Sequence, residues 1–284
     1  MQIITTKYEL TNQMAACVRQ GKTIGFVPTM GALHAGHGSL VKLACAENDV
    51  CVVSVFVNPT QFNNKEDLEK YPRNITKDAE LLADLGVHFV FAPTPEEMYS
   101  AEEMTQEFMF DFAGLDQVME GKMRPGHFNG VVQVVSRLFD LVQPTRAYFG
   151  EKDFQQLAII HHMVERSSLS ERYKNVQIVD CPIVREASGL AMSSRNERLS
   201  EQEKQTAVAI SQTLFASLEW AKNTSVKEVQ QQVIETINAV DGLEVEYYEI
   251  VDKNTLQPTD NWEGAVGCVT VYCGPVRLID NIRY

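Results

Sequence analysis

The chain has no apolar run approaching the ~18 residues that a membrane-crossing helix needs, so no membrane partner is expected. Its first residues, MQIITTKYEL, lack the basic-then-apolar pattern of a secretory signal, and a cytoplasmic location is expected. The six cysteines, Cys17, Cys45, Cys51, Cys181, Cys268 and Cys273, include no CxxC pair and sit mostly in apolar segments. They read as buried small hydrophobes in a reducing compartment rather than a disulfide frame or a zinc site. HExxH is absent, and no third His, Cys or carboxylate stands at a zinc-like spacing, so no protein metal ligand is expected. Positive charge is scarce: 25 Lys and Arg face 38 Asp and Glu, for a net charge of −13. That balance argues against nucleic acid as the main partner, because phosphate-backbone binding needs a basic face. Small anionic metabolites stay open to it if the few cations gather in one cleft.

What is present is a chain of 284 residues, 44% hydrophobic, enough for one large or two modest domains. Thr23–Val27, Val50–Val57 and Val87–Phe91 read as buried strands, rich in β-branched and aromatic residues. Leu40–Glu47 and Ile75–Leu85 read as the helices between them, the second closed by Gly86. Val131–Leu141 and Phe154–Glu165 continue as helices, with Arg146–Phe149 and Val176–Val184 as strands. This alternation predicts an α/β fold with a doubly wound parallel sheet. Beyond it, Ser200-Glu201-Gln202-Glu203 has the form of a capping box opening a long helix. A helix over Val226–Ala239 follows, then strands over Val245–Val251, Gly267–Tyr272 and Arg277–Asp280. We expect a first domain over 1–183 and a smaller α+β domain over 184–284, with the boundary near Pro182–Ser188.

Four segments carry groups capable of chemistry. PTMGALHAGHGSL, Pro28 to Leu40, joins the first of these strands to a helix and places His34 and His37 three apart. A strand, a glycine-punctuated turn and a helix N-terminus form an anion site when their N–H groups point outward, and that suits ATP. Taken alone, two such histidines also serve as helix caps. FVNPTQF, Phe56 to Phe62, ends the next strand with Asn58 and Gln61, where a parallel sheet binds ligands; a simple turn amide is the alternative. FGEKDFQQL, Phe149 to Leu157, puts Lys152 where it can stabilise a phosphoryl group in transit, or leaves it a solvated lysine at a helix start. AMSSRNERLS, Ala191 to Ser200, offers Ser193, Ser194 and Arg195 as a polyphosphate clamp, or is a polar linker. His88, His161 and His162 read as structural or surface residues, and the acidic run Glu66 to Glu69 reads as a solvated surface or a closing loop.

Taken together, PTMGALHAGHGSL, FVNPTQF, RPGHFNGV (Arg124 to Val131), FGEKDFQQL and MSSRN strongly resemble the pantoate–β-alanine ligase family. RLIDN, Arg277 to Asn281, is also similar to that family. A broader similarity runs to nucleotidyltransferases and class I aminoacyl-tRNA synthetases, whose HIGH element HAGH matches and whose mobile KMSKS-like loop MSSR matches. The resemblance implies a Rossmann-like, HIGH-superfamily fold. It also implies ATP-driven joining of (R)-pantoate and β-alanine through an acyl-adenylate, with release of AMP and pyrophosphate.

By the same resemblance Met30, Gly31, Ala32, Leu33, His34, Ala35, Gly36 and His37 contact ATP. Gly150, Glu151, Lys152, Asp153, Val184, Met192, Ser193, Ser194 and Arg195 supply further ATP contacts. Gln61 and Gln156 hold pantoate, and His37 donates a proton; His34 and Lys152 complete the catalytic set. RPGHFNGV brings Arg124 and His127 to the active site without an assigned role. A homodimer is also implied, and the chemistry leads us to expect a Mg²⁺ ion bound mainly through nucleotide phosphates and a C-terminal lid over the cleft. Two other readings remain: a nucleotidyltransferase that moves AMP to a phosphate acceptor, and a non-catalytic nucleotide-binding module.

Overall fold

A computed structural model of the chain describes residues 1–62, 68–69, 71–104, 106 and 108–284. The residues separate into two compact units. The first comprises Met1–Ala113, Arg124–Gly150 and Ile159–Cys181, and the second Gly114–Met123, Glu151–Ala158 and Pro182–Tyr284.

The first unit is built on a six-stranded sheet in which every pairing is parallel. Its strands are β1 (Gln2–Ile4), β2 (Ile24–Thr29), β3 (Val50–Val55), β4 (Phe89–Phe91), β5 (Arg146–Gly150) and β6 (Gln177–Cys181). The order across the sheet is β1-β4-β3-β2-β5-β6. From β2 the chain winds outward through β3 to β4, then returns to the other side of β2 for β5 and β6. The winding therefore reverses between β2 and β5, the switch point where such sheets bind ligands at their carboxyl ends.

Alternation along the strands sorts the core into two layers. Val27, Cys51, Val53 and Tyr148 meet Val41 and Ala44 of the helix Ala35–Glu47 and Leu82 of the helix Ile75–Asp84. Phe26 meets Phe139 of the helix His127–Val142 edge to face, with ring centroids 6.3 Å apart. Gly86 at φ +81° follows the end of the helix Ile75–Asp84, as the sequence predicts, and Asn74 caps its start. The crossover helix after β2 begins at Ala35, five residues before the expected Leu40, so HAGH is the helix start itself. β4 is shorter than Val87–Phe91, and β1 and the helix Lys7–Arg19 were not expected.

The second unit carries an antiparallel sheet of β7 (Leu243–Asp252), β8 (Ala265–Cys273) and β9 (Val276–Arg283) in the order β7-β8-β9. Two helices, Glu201–Trp220 and Val226–Asn238, bury Ile210, Leu214, Val229, Val233 and Ile237 against Tyr248, Ile250, Val269 and Val271. Both helices open with reciprocal capping boxes, Ser200 with Glu203 and Ser225 with Glu228. The segment Gly114–Met123 belongs here because Gln155 donates to the carbonyls of Leu115 and Val118 and accepts from the amide of Glu120. Arg277 then clamps Glu120 and Glu246, each at 2.6 Å, with all three side chains mostly shielded from water.

Candidate active site

β2 ends at Thr29, and three N–H groups of the turn that follows donate within the turn. The amide of Gly31 donates to Thr29 Oγ1 (3.2 Å), that of Gly36 to His34 Nδ1 (3.1 Å) and that of His34 to His37 Nδ1 (3.4 Å). These three amides are thus engaged by the turn's own side chains. Because Nδ1 of each ring accepts from the main chain, the neutral form of each carries its proton on Nε2. The rings lie together, with centroids 4.1 Å apart. His34 is the N-cap residue and His37 sits in the first turn, so both stand at the positive end of the helix dipole.

Asp78, which no sequence motif marked, completes this turn. It lies in the first turn of the helix Ile75–Asp84 and is 2% exposed. Its Oδ2 accepts from the amide of Ala32 (3.0 Å) and its Oδ1 from that of Leu33 (2.8 Å). Gly31 and Ala32 both have positive φ, +85° and +51°. For alanine that conformation costs about 1–2 kcal/mol, and two hydrogen bonds at about 0.5–1.5 kcal/mol each are enough to offset it.

Gln61 closes the short 3-10 turn Pro59–Gln61 beyond β3 and is buried. Asn58, 1% exposed, organises the turn: its Nδ2 donates to Gly130 O (3.0 Å) and Gln61 Oε1 (3.3 Å), and its Oδ1 accepts from Tyr99 Oη (2.9 Å). Burial pushes the Tyr99 hydroxyl up to about 12, which keeps it a donor. Gln61 Nε2 lies 2.8 Å from Met30 Sδ, a weak acceptor, so this buried amide is only weakly satisfied within the fold and suited to a ligand. His127 Nδ1 meets Gln61 O at 2.8 Å, and Arg124 Nη1 meets His127 Nε2 at 3.3 Å. These contacts give RPGHFNGV the task that its sequence left open. The second of its two glycines is required, since a Cβ on Gly130 would stand 2.5 Å from Thr60 O and 2.7 Å from Gln61 Cα.

Gly150 ends β5 beside the switch point. Within the second unit, Glu151–Asp153 forms a 3-10 turn ahead of Gln156, which is half-buried in the first turn of the next helix. Lys152 is shielded and lies 3.5 Å from Asp153, and Asn281 Nδ2 donates to the carbonyls of Glu151 (2.8 Å) and Lys152 (3.0 Å). Val184 O accepts from the amide of Met192 (3.0 Å), and Ser193 caps the 3-10 turn Ser194–Arg198. Arg185, one residue beyond Val184, pairs with buried Asp280 at 2.6 Å. The sequence-predicted residues thus form clusters in each unit: Met30–His37 with Gln61 in the first, and Glu151–Asp153 and Val184 with Met192–Arg195 in the second.

The discounted residues have internal partners. His88 Nδ1 accepts from the amide of Cys51 (3.1 Å), and His162 Nε2 meets Asp111 O (2.9 Å). His161 lies between Glu165 (2.8 Å) and Asp180 (2.7 Å). Glu66 and Asp67 of the acidic run lie outside the described residues.

A parallel doubly wound sheet with an HxGH turn leaving the strand beside its switch point defines a nucleotide-binding enzyme of the HIGH-motif class. The family model described as pantoate-beta-alanine ligase matches residues 2–283, and the chain belongs to that family. It is 58% identical to the pantothenate synthetase of Phocaeicola vulgatus over 100% of this chain and 99% of that one. To that of Christiangramia forsetii it is 46% identical over 99% of each. Among solved structures, pantothenate synthetase from Thermus thermophilus superposes with a TM-score of 0.90 at 44% identity, covering 100% of this chain and 99% of that chain. The pantoate-beta-alanine ligase of Francisella tularensis, solved with beta-gamma ATP and beta-alanine, gives 0.79 at 34% identity, covering 100% and 97%.

Proposed function

We propose that this enzyme uses ATP to condense (R)-pantoate with β-alanine through a pantoyl-adenylate, releasing pyrophosphate and then AMP. The observation that carries the reading is the His34–His37 pair, with Nδ1 of each ring held by the main chain at the start of the helix Ala35–Glu47. A carboxylate attacking the α-phosphate brings two anions together, and negative charge builds on the phosphoryl oxygens. Two Nε2–H donors at a helix N-terminus, with Lys152 and Arg195, supply preorganised positive potential where that charge develops. His37 protonates the departing side. Gln61 and Gln156 hold pantoate in line, which lowers the entropic barrier. Mg²⁺ enters with the nucleotide phosphates, and no protein ligand is assigned to it. The homodimer is part of this reading; light scattering in solution tests it.

With ATP, Mg²⁺ and pantoate but no β-alanine, the enzyme should release about one pyrophosphate per site and stall, because a shielded mixed anhydride survives. Adding β-alanine should discharge AMP and the amide together. Quenched flow with mass spectrometry of the bound intermediate measures both steps. Pyrophosphate release that waits for β-alanine would rule out the adenylate route. A requirement for a phosphate acceptor would identify a nucleotidyltransferase, and binding without turnover a sensor.

A further inference from the structure

We propose that Asp78 is a positioning residue for the nucleotide-binding turn, fixing Ala32 and Leu33 and through them the placement of His34 and His37. The inference rests on the ligase reading of that turn. An acidic residue in the first turn of a helix ordinarily faces water and favours the helix dipole. Asp78 does neither alone: it is 2% exposed, and each carboxyl oxygen accepts from one of two consecutive amides 45 and 46 residues away in sequence.

The geometry around that contact is built for it. Ala32 is left-handed (φ +51°), a conformation an alanine keeps only where its surroundings impose it. Leu33 is buried, and His34, the helix N-cap, comes directly after it. A change of backbone at Ala32–Leu33 is therefore passed straight to the residue that starts the helix and to both rings. Gly31 leaves room for the carboxylate: a Cβ there would come within 3.0 Å of Asp78 Oδ2. The contact also decides which groups meet phosphate. With a carboxyl group seated on the amides of Ala32 and Leu33, those amides are taken, and an anionic ligand is directed to the imidazole side of the turn.

The test is pantoate-dependent ATP–pyrophosphate exchange by Asp78→Asn, with circular dichroism and thermal unfolding as folding controls. The amide side chain keeps the size but replaces one acceptor with a donor. We expect kcat/KM for ATP to fall about 10- to 100-fold, the scale of a misplacement transmitted to catalytic groups, while KM for pantoate stays within about 3-fold. Placed in a His37→Ala background, Asp78→Asn should cost less than about 3-fold more, because residues acting through one element are not additive. Gly31→Ala puts a Cβ 3.0 Å from the same carboxylate and from Val55 Cγ1, and should reproduce the ATP defect. It carries the test should Asp78→Asn fail to fold. Folded Asp78→Asn or Gly31→Ala with normal ATP kinetics overturns the proposal, as do losses that multiply fully in the double mutant. A wild-type enzyme without exchange would instead defeat the ligase reading. Titration of a non-hydrolysable ATP analogue then decides Asp78 independently, with weakened binding in Asp78→Asn supporting its role and unchanged binding overturning it.

Discussion

Two pairs of histidines lie in the first unit, and they differ in what their rings hold. His34 and His37, at a helix start, turn Nδ1 onto their own main chain and keep Nε2 as the protonated nitrogen. His161 and His162 lie well along the helix Phe154–Glu165. His161 has a carboxylate at each ring nitrogen, and His162 meets a carbonyl. Burial alone does not separate the pairs, for His162 is the more buried of its own. The difference lies in what holds each ring: main-chain amides at a helix start in the first pair, carboxylates and a carbonyl in the second.

Replacing one residue of each pair gives the strongest test. His37→Ala should lower pyrophosphate exchange by at least ~10²-fold with the fold intact, the scale for losing a positioned catalytic group. His162→Ala should instead cost about 1–3 kcal/mol of stability by leaving Asp111 O unpaired, with exchange per folded molecule unchanged. Denaturant unfolding and exchange on the same preparations separate the two effects; a folded His162→Ala with a catalytic defect would break the comparison.

His127 sharpens it as an intermediate case, a ring that supports Gln61 rather than acting itself. His127→Ala should raise KM for pantoate by roughly 5- to 100-fold, equivalent to about 1–3 kcal/mol, with ATP-analogue affinity nearly normal by calorimetry. Gly130→Ala forces the helix away from the Pro59–Gln61 turn without removing any histidine, and should show the same selectivity. An ATP defect larger than the pantoate defect would mean that the turn serves the nucleotide.

The smallest effect is expected at His161. Burial opposes its protonation, but the hydrogen bonds to Asp180 and Glu165 outweigh that and raise its pKa above the usual 6.5. A histidine with a raised folded pKa contributes stability that is fully present below about 6.5 and lost as pH rises through the folded value. The stability gap between wild type and His161→Gln, followed by urea unfolding from pH 5 to 9, should therefore narrow with rising pH. A gap that widens would show that the ring is held neutral.

The sheet was legible because β2, β3 and β5 are short runs of apolar residues bounded by turns, and because Gly86 marks a helix end. The helix Lys7–Arg19 was not, since its buried Leu10, Met14 and Cys17 are diluted by Thr, Asn and Gln. β1, three residues long, gives no pattern of its own. The crossover helix starts early because His34 substitutes for the Ser, Thr, Asp or Asn that ordinarily announces a cap. The motif residues of the site were legible as motifs; their supports were not. Asp78, Asn58 and Asn281 act through long-range hydrogen bonds to main-chain groups, and a contact across tens of residues leaves no periodicity to read. The packing of Gly114–Met123 and Glu151–Ala158 with the C-terminal unit was hidden for the same reason, resting on Gln155 and on the Arg277–Glu120 pair.

The grip of Asn281 on the carbonyls of Glu151 and Lys152 has a consequence for how the enzyme is made. The two ends of that contact are 130 and 129 residues apart in the sequence. At roughly 5–20 residues per second, a ribosome delivers the lysine turn many seconds before the side chain that secures it. A nascent chain can complete its HxGH turn from early residues alone, yet Lys152 gains its clasp only when translation has passed residue 281. Acquisition of the clasp thus trails the lysine turn by about 130 residues of synthesis, and a product terminated between the two would carry the histidines without a secured lysine.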